Sequence, residues 1–290
     1  MKTLLITGIN GYLGSELAKK YDKEYNVIGL EYTLENLFRI NKKKYKVYSS
    51  KNGIEDSLFK ENNIDLIIHT ATFYGRNSET DNVMVYSNLL LPQKLLQMAC
   101  INKCPLFINT DTILNRYTSS YSLTKRQFND WLKFYSKTNK IKVINLRLEH
   151  FYGPGSSTTN FISLMTTKML SNDPIINLTK GEQNRDFLYV SDLLTVYDLV
   201  IKNMKDFTNY EEFIIGSGTN INLKYILEYI KKETASISIL KYGAVPYRHE
   251  ELMNSNNDIS KIKKLGWNPK ISIEEGLNKV INFMKKNEHK

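Results

Sequence analysis

Short apolar runs alternate with segments of helical periodicity through the first half of the chain. Residues 3–7 (TLLIT) form an apolar run that predicts a buried strand, and Leu17, Ala18 and Tyr21 recur at helical spacing within 14–21. The alternation continues with strands over 26–30, 64–70 (entered through Asn62-Asn63), 106–109 and 143–148, and with helices over 89–99 and 121–135. Strands separated by helices read as βαβ units, so the expected fold class is α/β with a doubly wound parallel sheet. After Tyr152 the chain enters Gly153-Pro154-Gly155-Ser156-Ser157 and the regular alternation stops. Mixed elements follow, closed by an amphipathic helix over 273–284. The expected plan is a dinucleotide-binding domain over 1–150, to which a segment at about 187–217 returns. A smaller, discontinuous α/β substrate-binding domain takes 151–186 and 218–290.

Composition narrows the classes of function. With 290 residues, 41% hydrophobic and 24% charged, the chain can bury a sizeable core and is not disordered. Lys and Arg total 40 against 30 Asp and Glu, a net charge of +10. The densest basic run is only Lys42, Lys43 and Lys44, with no stripe of cations and interleaved aromatics. A nucleic-acid partner is therefore not expected; a lysine-rich surface attracts small anions. No apolar stretch approaches the roughly 20 residues of a membrane span, and 193–201 is cut by Asp198, so no membrane partner is expected. The amino end runs at once into a glycine turn and does not read as a signal peptide. Cys100 and Cys104 stand one helical turn apart without His or acidic partners, which makes them core thiols and predicts no metal. A cytoplasmic location is the expectation.

Candidate chemistry begins at Gly8, Gly11 and Gly14, spaced GxxGxxG between the first strand and first helix. Glycines there let backbone N–H groups approach a pyrophosphate at the positive end of the helix, the Rossmann arrangement. A tight turn that binds nothing is the plain alternative. Glu31 ends the second strand, where a carboxylate accepts both adenosine ribose hydroxyls and repels a 2′-phosphate. That favours NAD(H), unless Glu31 turns outward and Arg39 meets a phosphate. Tyr121 and Lys125 are four residues apart on a predicted helix and share one face. An ammonium beside a tyrosine stabilises its phenolate and brings proton transfer toward neutral pH.

These residues together resemble the extended short-chain dehydrogenase/reductase family, in the branch that acts on nucleotide sugars. The resemblance spans nearly the whole chain. It takes in His69-Thr70-Ala71, residues 147–155 (RLEHFYGPG), residues 185–190 (RDFLYV) and Leu265-Gly266-Trp267-Asn268-Pro269. It implies a Rossmann domain with a nucleotide-sugar-binding domain, NAD(P)(H) as cofactor, and a homodimer paired through helices that include the one bearing Tyr121. It further implies a catalytic set of Thr112, Tyr121 and Lys125, although Thr110 occupies the catalytic position in a second register, the one that matches the Thr-Asp of 4,6-dehydratases. Implied cofactor contacts are Gly8, Asn10, Gly11, Tyr12, Leu13, Gly14, Glu31, Ala71 and Lys125. Implied substrate contacts are Thr110, His150, Asn160, Arg185 and Arg248; plainer readings are a structural His150 and an Arg185 paired with Asp186 or another carboxylate.

In the first register Ile113 and Leu114 stand where dehydratases carry Asp-Glu, and in the second Thr112 replaces the glutamate. Dehydration is disfavoured both ways. A narrower resemblance is to 4-ketoreductases of the CDP-abequose and CDP-paratose synthase type. Residues 109–112 (NTDT), 147–155 and 181–187 (GEQNRDF) carry it. It implies reduction of the 4-keto group of a CDP-4-keto-3,6-dideoxyhexose in surface-polysaccharide (O-antigen) sugar biosynthesis, with NADPH where Glu31 points to NADH. Only nine residues separate Thr112 from Tyr121, which makes the intervening loop short. An NAD-dependent epimerase or 4-dehydrogenase acting on a nucleotide sugar, and a non-catalytic dinucleotide sensor, are the competing readings.

Overall fold

A computed structural model describes residues 1–75, 80–247, 251–255 and 258–287. In chain order the elements are β1 (Thr3–Thr7), α1 (Tyr12–Tyr21), β2 (Asn26–Glu31), β3 (Lys46–Ser49), α2 (Ser57–Lys60) and β4 (Ile64–His69). Next come α3 (Asp81–Val85), a π-helical stretch (Tyr86–Leu90), α4 (Leu91–Ile101), β5 (Leu106–Thr112), α5 (Ser120–Ser136) and β6 (Lys142–Leu148). Then follow β7 (His150–Tyr152), α6 (Phe161–Leu170), β8 (Ile175–Asn177), β9 (Asn184–Tyr189), α7 (Val190–Lys202) and β10 (Tyr210–Ile215). The last are β11 (Asn220–Asn222), α8 (Leu223–Thr234), β12 (Ile239–Lys241), α9 (Ser260–Lys263) and α10 (Ile273–Asn287).

The main sheet has seven strands in the order β10-β6-β5-β4-β1-β2-β3. Pairings from β3 through β2, β1 and β4 to β5 are all parallel. The fold is α/β with the Rossmann order, and the order reverses at β1, which lies between β2 and β4. Such a switch point opens a crevice beyond the carboxyl ends of the strands, where the loop after β1 lies. Leu5, Ile28, Ile67, Phe107 and Val143 pack with Phe128 and Leu132 of α5. Each such side chain contributes about 1.5–3 kcal/mol by leaving water. Phe128 is fully buried and meets Phe107 edge-on at 6.2 Å, seating α5 on β5.

The chain divides into two compact units. The first is Met1–Arg147 with Val200–Phe213, a shorter returning segment than 187–217. The second, Leu148–Leu199 with Ile214–Lys290, holds a three-stranded sheet ordered β11-β9-β7 and a β12-β8 pair. In it the Trp267 indole N–H donates to Thr195 at 2.8 Å, and Asp192 accepts from the Lys270 and Ile271 amides at 2.9 Å each. The Leu-Gly-Trp-Asn-Pro segment is thereby tied to α7.

Several boundaries differ from the periodic pattern, each for a local reason. Helix α1 begins two residues early, at Tyr12, because Gly11 takes the extended N-cap conformation. The helix expected over 89–99 starts at Asp81 and passes through the π-helical stretch, whose extra residue per turn blurs the period. Strand β5 runs to Thr112 rather than Asn109, with Asp111 and Thr112 buried at its end. The strands β7, β8, β11 and β12 are three residues each, too short for a period to register. Among the described residues no helix is long and apolar enough to cross a membrane.

Cys100 and Cys104 are both buried, and burial pushes their thiols up to about 11 and about 12. An unfolded thiol ionises from about pH 9, so folding keeps a proton on Cys104 that the unfolded chain releases. That contribution is present below pH 9 and is lost progressively as pH rises toward 12. Cys104→Ala should therefore lose stability less steeply than the parent between pH 9 and 10.5, by about 1–2 kcal/mol in denaturant titrations. Parallel curves would refute the assignment.

Candidate active site

The turn after β1 is built by close approach. Gly8 has φ +67°, and a Cβ on it would lie 2.8 Å from the Ala71 Cα. A Cβ on Gly14 would lie 2.1 Å from the Gly8 carbonyl oxygen. The Gly11 amide donates to that carbonyl at 2.9 Å, and no side chain caps the start of α1. Uncapped amides at the positive end of a helix, on a turn with no Cβ in the way, form a cradle for a phosphate. The Glu31 carboxylate turns inward and accepts the Asn10 amide at 2.9 Å and the Tyr32 amide at 3.3 Å. Burial raises its pKa against those two bonds. Asn10 also accepts the Arg39 amide at 2.9 Å, and the Arg39 guanidinium lies 4.8 Å over Phe38 and 5.8 Å over Tyr12. Leu13 is buried within α1. This cradle fits a dinucleotide, with Gly8, Gly11, Gly14 and the acidic Glu31 in the required places.

Helix α5 starts on a capping box. Ser119 accepts the Ser122 amide at 3.2 Å, while Ser122 accepts the Ser119 amide at 3.0 Å. This sets Tyr121 in the first turn and Lys125 one turn later. Thr112 and Thr72 stand near the Tyr121 hydroxyl, and the Tyr74 ring lies 5.2 Å from its own. Burial, with Tyr74 and Asp111 adding, pushes the phenol far above its ordinary value. Lys125 is buried, and its Nζ donates to the Thr110 carbonyl at 2.7 Å. Burial pulls its ammonium down to about 8; Asp111 opposes this and Arg126 adds to it. Thr112 thus stands near Tyr121 at the end of β5, while Lys125, one helical turn on, reaches the Thr110 carbonyl. Chemically, the group is a protonated phenol with a nearby hydroxyl and a neighbouring cation.

Beneath it, His69 is buried and its Nδ1 shares a 2.7 Å hydrogen bond with the Thr7 hydroxyl. Burial, then the Lys125 charge, lowers its pKa well below the usual value, so it is neutral at pH 7. The Thr7 hydroxyl also accepts the Ala71 amide at 3.2 Å, holding Ala71 against Gly8.

The second unit holds three expected substrate contacts, His150, Asn160 and Arg185. His150 is exposed, with its ring 5.6 Å from Phe187 and its Nδ1 3.7 Å from Glu149. Asn160 is the N-cap residue of α6, whose Phe161 stacks on Phe187 at 6.4 Å. Arg185 pairs with Glu251 at 2.5 Å, not with Asp186. Asp186 instead accepts the Ser217 and Gly218 amides at 2.7 Å each. Arg248 lies outside the described residues.

Residues 4–216 match the NAD dependent epimerase/dehydratase family. The chain belongs to that family. It is an NAD(P)-dependent oxidoreductase of the extended short-chain dehydrogenase/reductase type. It is 34% identical to a CDP-abequose synthase of Salmonella muenchen, over 97% of this chain and 98% of that one. It is 28% identical to a putative UDP-glucose 4-epimerase of Methanocaldococcus jannaschii, over 98% and 99% of the two chains. Among solved structures, the UDP-glucose 4-epimerase of Thermotoga maritima superposes with a TM-score of 0.86 over 99% of each chain, at 22% identity.

Family motifs do not point to every residue at this site. Thr72 and Tyr74 reach Tyr121 from the loop after β4, and nothing in their spacing announces it. Asn88, in the π-helical stretch, holds that loop through the Phe73 amide and carbonyl at 2.8 Å each. A π-helical turn is the signal that would single out Asn88, and it has no signature in sequence. Asp111 forms a buried ion pair with Arg126.

Gly14→Ala would drive a methyl group into the Gly8 carbonyl, backbone against backbone. We expect it to cost about 1–3 kcal/mol of stability and to weaken dinucleotide binding about tenfold or more. Thermal melts with and without NAD(H) read both; an unchanged variant would remove the close-packed turn from the cofactor site.

Proposed function

We propose that this enzyme is a nucleotide-sugar 4-ketoreductase, acting on a CDP-4-keto-3,6-dideoxyhexose. The observation that carries this reading is Thr112 standing near Tyr121, with a buried Lys125 one helical turn further along α5 and Ile113 and Leu114 following Thr112 in the chain. A phenol held protonated suits donation to a ketone oxygen. Two aliphatic side chains after Thr112 cannot serve the acid and base steps of dehydration. The full-length likeness to a CDP-abequose synthase supports the same substrate class.

When bound, the reduced nicotinamide supplies hydride to the fourth sugar carbon. Gly8, Asn10, Gly11, Tyr12, Leu13 and Gly14 would hold the dinucleotide with Glu31, Ala71 and Lys125. Tyr121 gives its proton to the developing alkoxide, and Thr112 hydrogen-bonds that same oxygen. Lys125, anchored on the Thr110 carbonyl, stabilises the phenolate left on Tyr121. In the second unit, Arg185, His150 and Asn160 are the candidates for the diphosphate, and in the first unit Thr110 is a candidate for the sugar. Exposed Trp131 and Phe134 on α5 suit a second copy of the chain.

A second reading, an NAD-dependent epimerase or 4-dehydrogenase on a nucleotide sugar, is favoured by the inward Glu31. The deciding assay follows loss of reduced-nicotinamide absorbance on adding a CDP-4-keto-3,6-dideoxyhexose, with NADH and NADPH side by side. Rapid oxidation supports the ketoreductase, and preference for NADH supports Glu31 on the ribose. No oxidation, with NAD retained through purification, favours the second reading. Tyr121→Phe should lower kcat by about 100-fold or more.

The pH profile has a defined sign. Lys125 sheds its proton above about 8, and with it the charge that stabilises the Tyr121 phenolate. kcat/KM for reduction should therefore fall about tenfold per pH unit above 8. A profile flat to pH 10 would contradict this role for Lys125.

A further inference from the structure

The end of β5 is gripped by two consecutive residues of α5. Lys125 donates to the Thr110 carbonyl at 2.7 Å. Arg126 donates to the Thr112 carbonyl at 2.8 Å and to the Leu114 carbonyl at 3.3 Å. Its other terminal nitrogen, Nη1, lies 3.0 Å from Asp111 Oδ2. Asp111 Oδ1 in turn accepts the Thr112 amide at 2.7 Å. Both backbone polar groups of Thr112 therefore end on one ion pair. The Asp111 side chain is 0% exposed and that of Arg126 12%.

The pair is supported from behind. Asn145 on β6 donates to Asp111 Oδ2 at 3.1 Å and to Glu212 at 2.8 Å, and accepts from Asn109 at 2.7 Å. Glu212 accepts from Asn129 on α5 at 3.0 Å and from the Tyr210 hydroxyl at 2.8 Å. An ion pair taken out of water is a weak source of stability, because desolvation offsets the attraction. What this one does is geometric. A planar guanidinium with several fixed donors sets the strand end against the helix in a way a point charge cannot. Tyr121 and Arg126 lie on the same helix, so the fork that fixes Thr112 also sets its distance from Tyr121.

We propose that Asp111 and Arg126 are positioning residues that hold the Thr112 hydroxyl on Tyr121 for proton donation, without touching substrate or cofactor. This rests on the reading of Tyr121 as the proton donor. Displacement of a reacting group by about 1 Å costs on the order of 100-fold in rate, so loss of the fork should appear in turnover and not in binding.

The test uses full-length enzyme with a CDP-4-keto-3,6-dideoxyhexose and reduced nicotinamide, and hydrogen exchange of the unliganded protein. Arg126→Met alone strands a buried carboxylate and endangers folding, so the principal variant is Asp111→Asn/Arg126→Met, which removes both charges. We expect kcat to fall about 100-fold with substrate KM and cofactor Kd within about twofold, and Arg126→Lys to recover only part of the loss. Added to Tyr121→Phe, the double change should lower kcat little further, because the pair acts through Tyr121. Exchange at the Thr112 amide should rise about tenfold or more, with β1 amides unchanged.

A folded double variant with parental kcat, a loss confined to KM, or an unchanged Thr112 amide would each overturn the proposal. Full activity in Tyr121→Phe would overturn the reading beneath it, and is distinguished by appearing without any change at Asp111 or Arg126.

Discussion

The approach of α1 to the end of β1 is the constraint on which the nucleotide-facing half depends. With the Gly8 carbonyl 2.1 Å from where a Gly14 Cβ would lie, helix and strand are locked at backbone contact. That contact aims the uncapped amides of α1 along the switch point between β2 and β4. It also leaves Gly8 against Ala71, so that the loop after β4 is located by the same turn. Glu31 then reaches the turn through the Asn10 amide, because β2 is the immediate neighbour of β1. One backbone contact thus organises three loops.

A second organisation lies at β5 and α5, and it is polar. Asn109, Asp111, Asn145 and Asn129 are all buried, and hydrogen bonds join them to one another and to Arg126, Glu212 and Tyr210. Polar groups in such a place cost stability unless satisfied; Asn109 Oδ1 has no partner among the described residues, while the bonds named here hold the cluster in one arrangement. Pleating sends Asn109 and Asp111 to one face of the strand and Thr110 and Thr112 to the other. The buried hydrogen bonds and the two threonines therefore occupy opposite faces of the same four residues. Burial keeps a proton on Tyr121 and lowers Lys125 only to about 8, which leaves it charged at neutral pH.

The family's shared fold does not choose among its reactions. A TM-score of 0.86 to an epimerase coexists with 34% identity to a CDP-abequose synthase. Chemistry is chosen by a few side chains on a common frame. In this chain Ile113 and Leu114 follow Thr112, the Tyr74 ring faces that of Tyr121, and Glu31 turns inward.

The alternation of apolar runs and helical segments was enough to read the parallel sheet, because strands buried on both faces are continuous hydrophobic runs. Gly8, Gly11, Gly14, Tyr121 and Lys125 were legible as well, since backbone approach and a shared helix face impose short, fixed spacings. Residues whose partners lie far along the chain were not. Asn145 meets Glu212 across 67 positions, Arg185 meets Glu251 across 66, and Tyr74 finds Tyr121 across three helical stretches and strand β5. The sequence by itself determined the sheet, the glycine turn and the Tyr–Lys pair, all set by local period and steric size. Tertiary structure alone decided which threonine stands near Tyr121, which way Glu31 turns and which carboxylate Arg185 takes, because buried charges settle on the nearest partner that packing brings within reach.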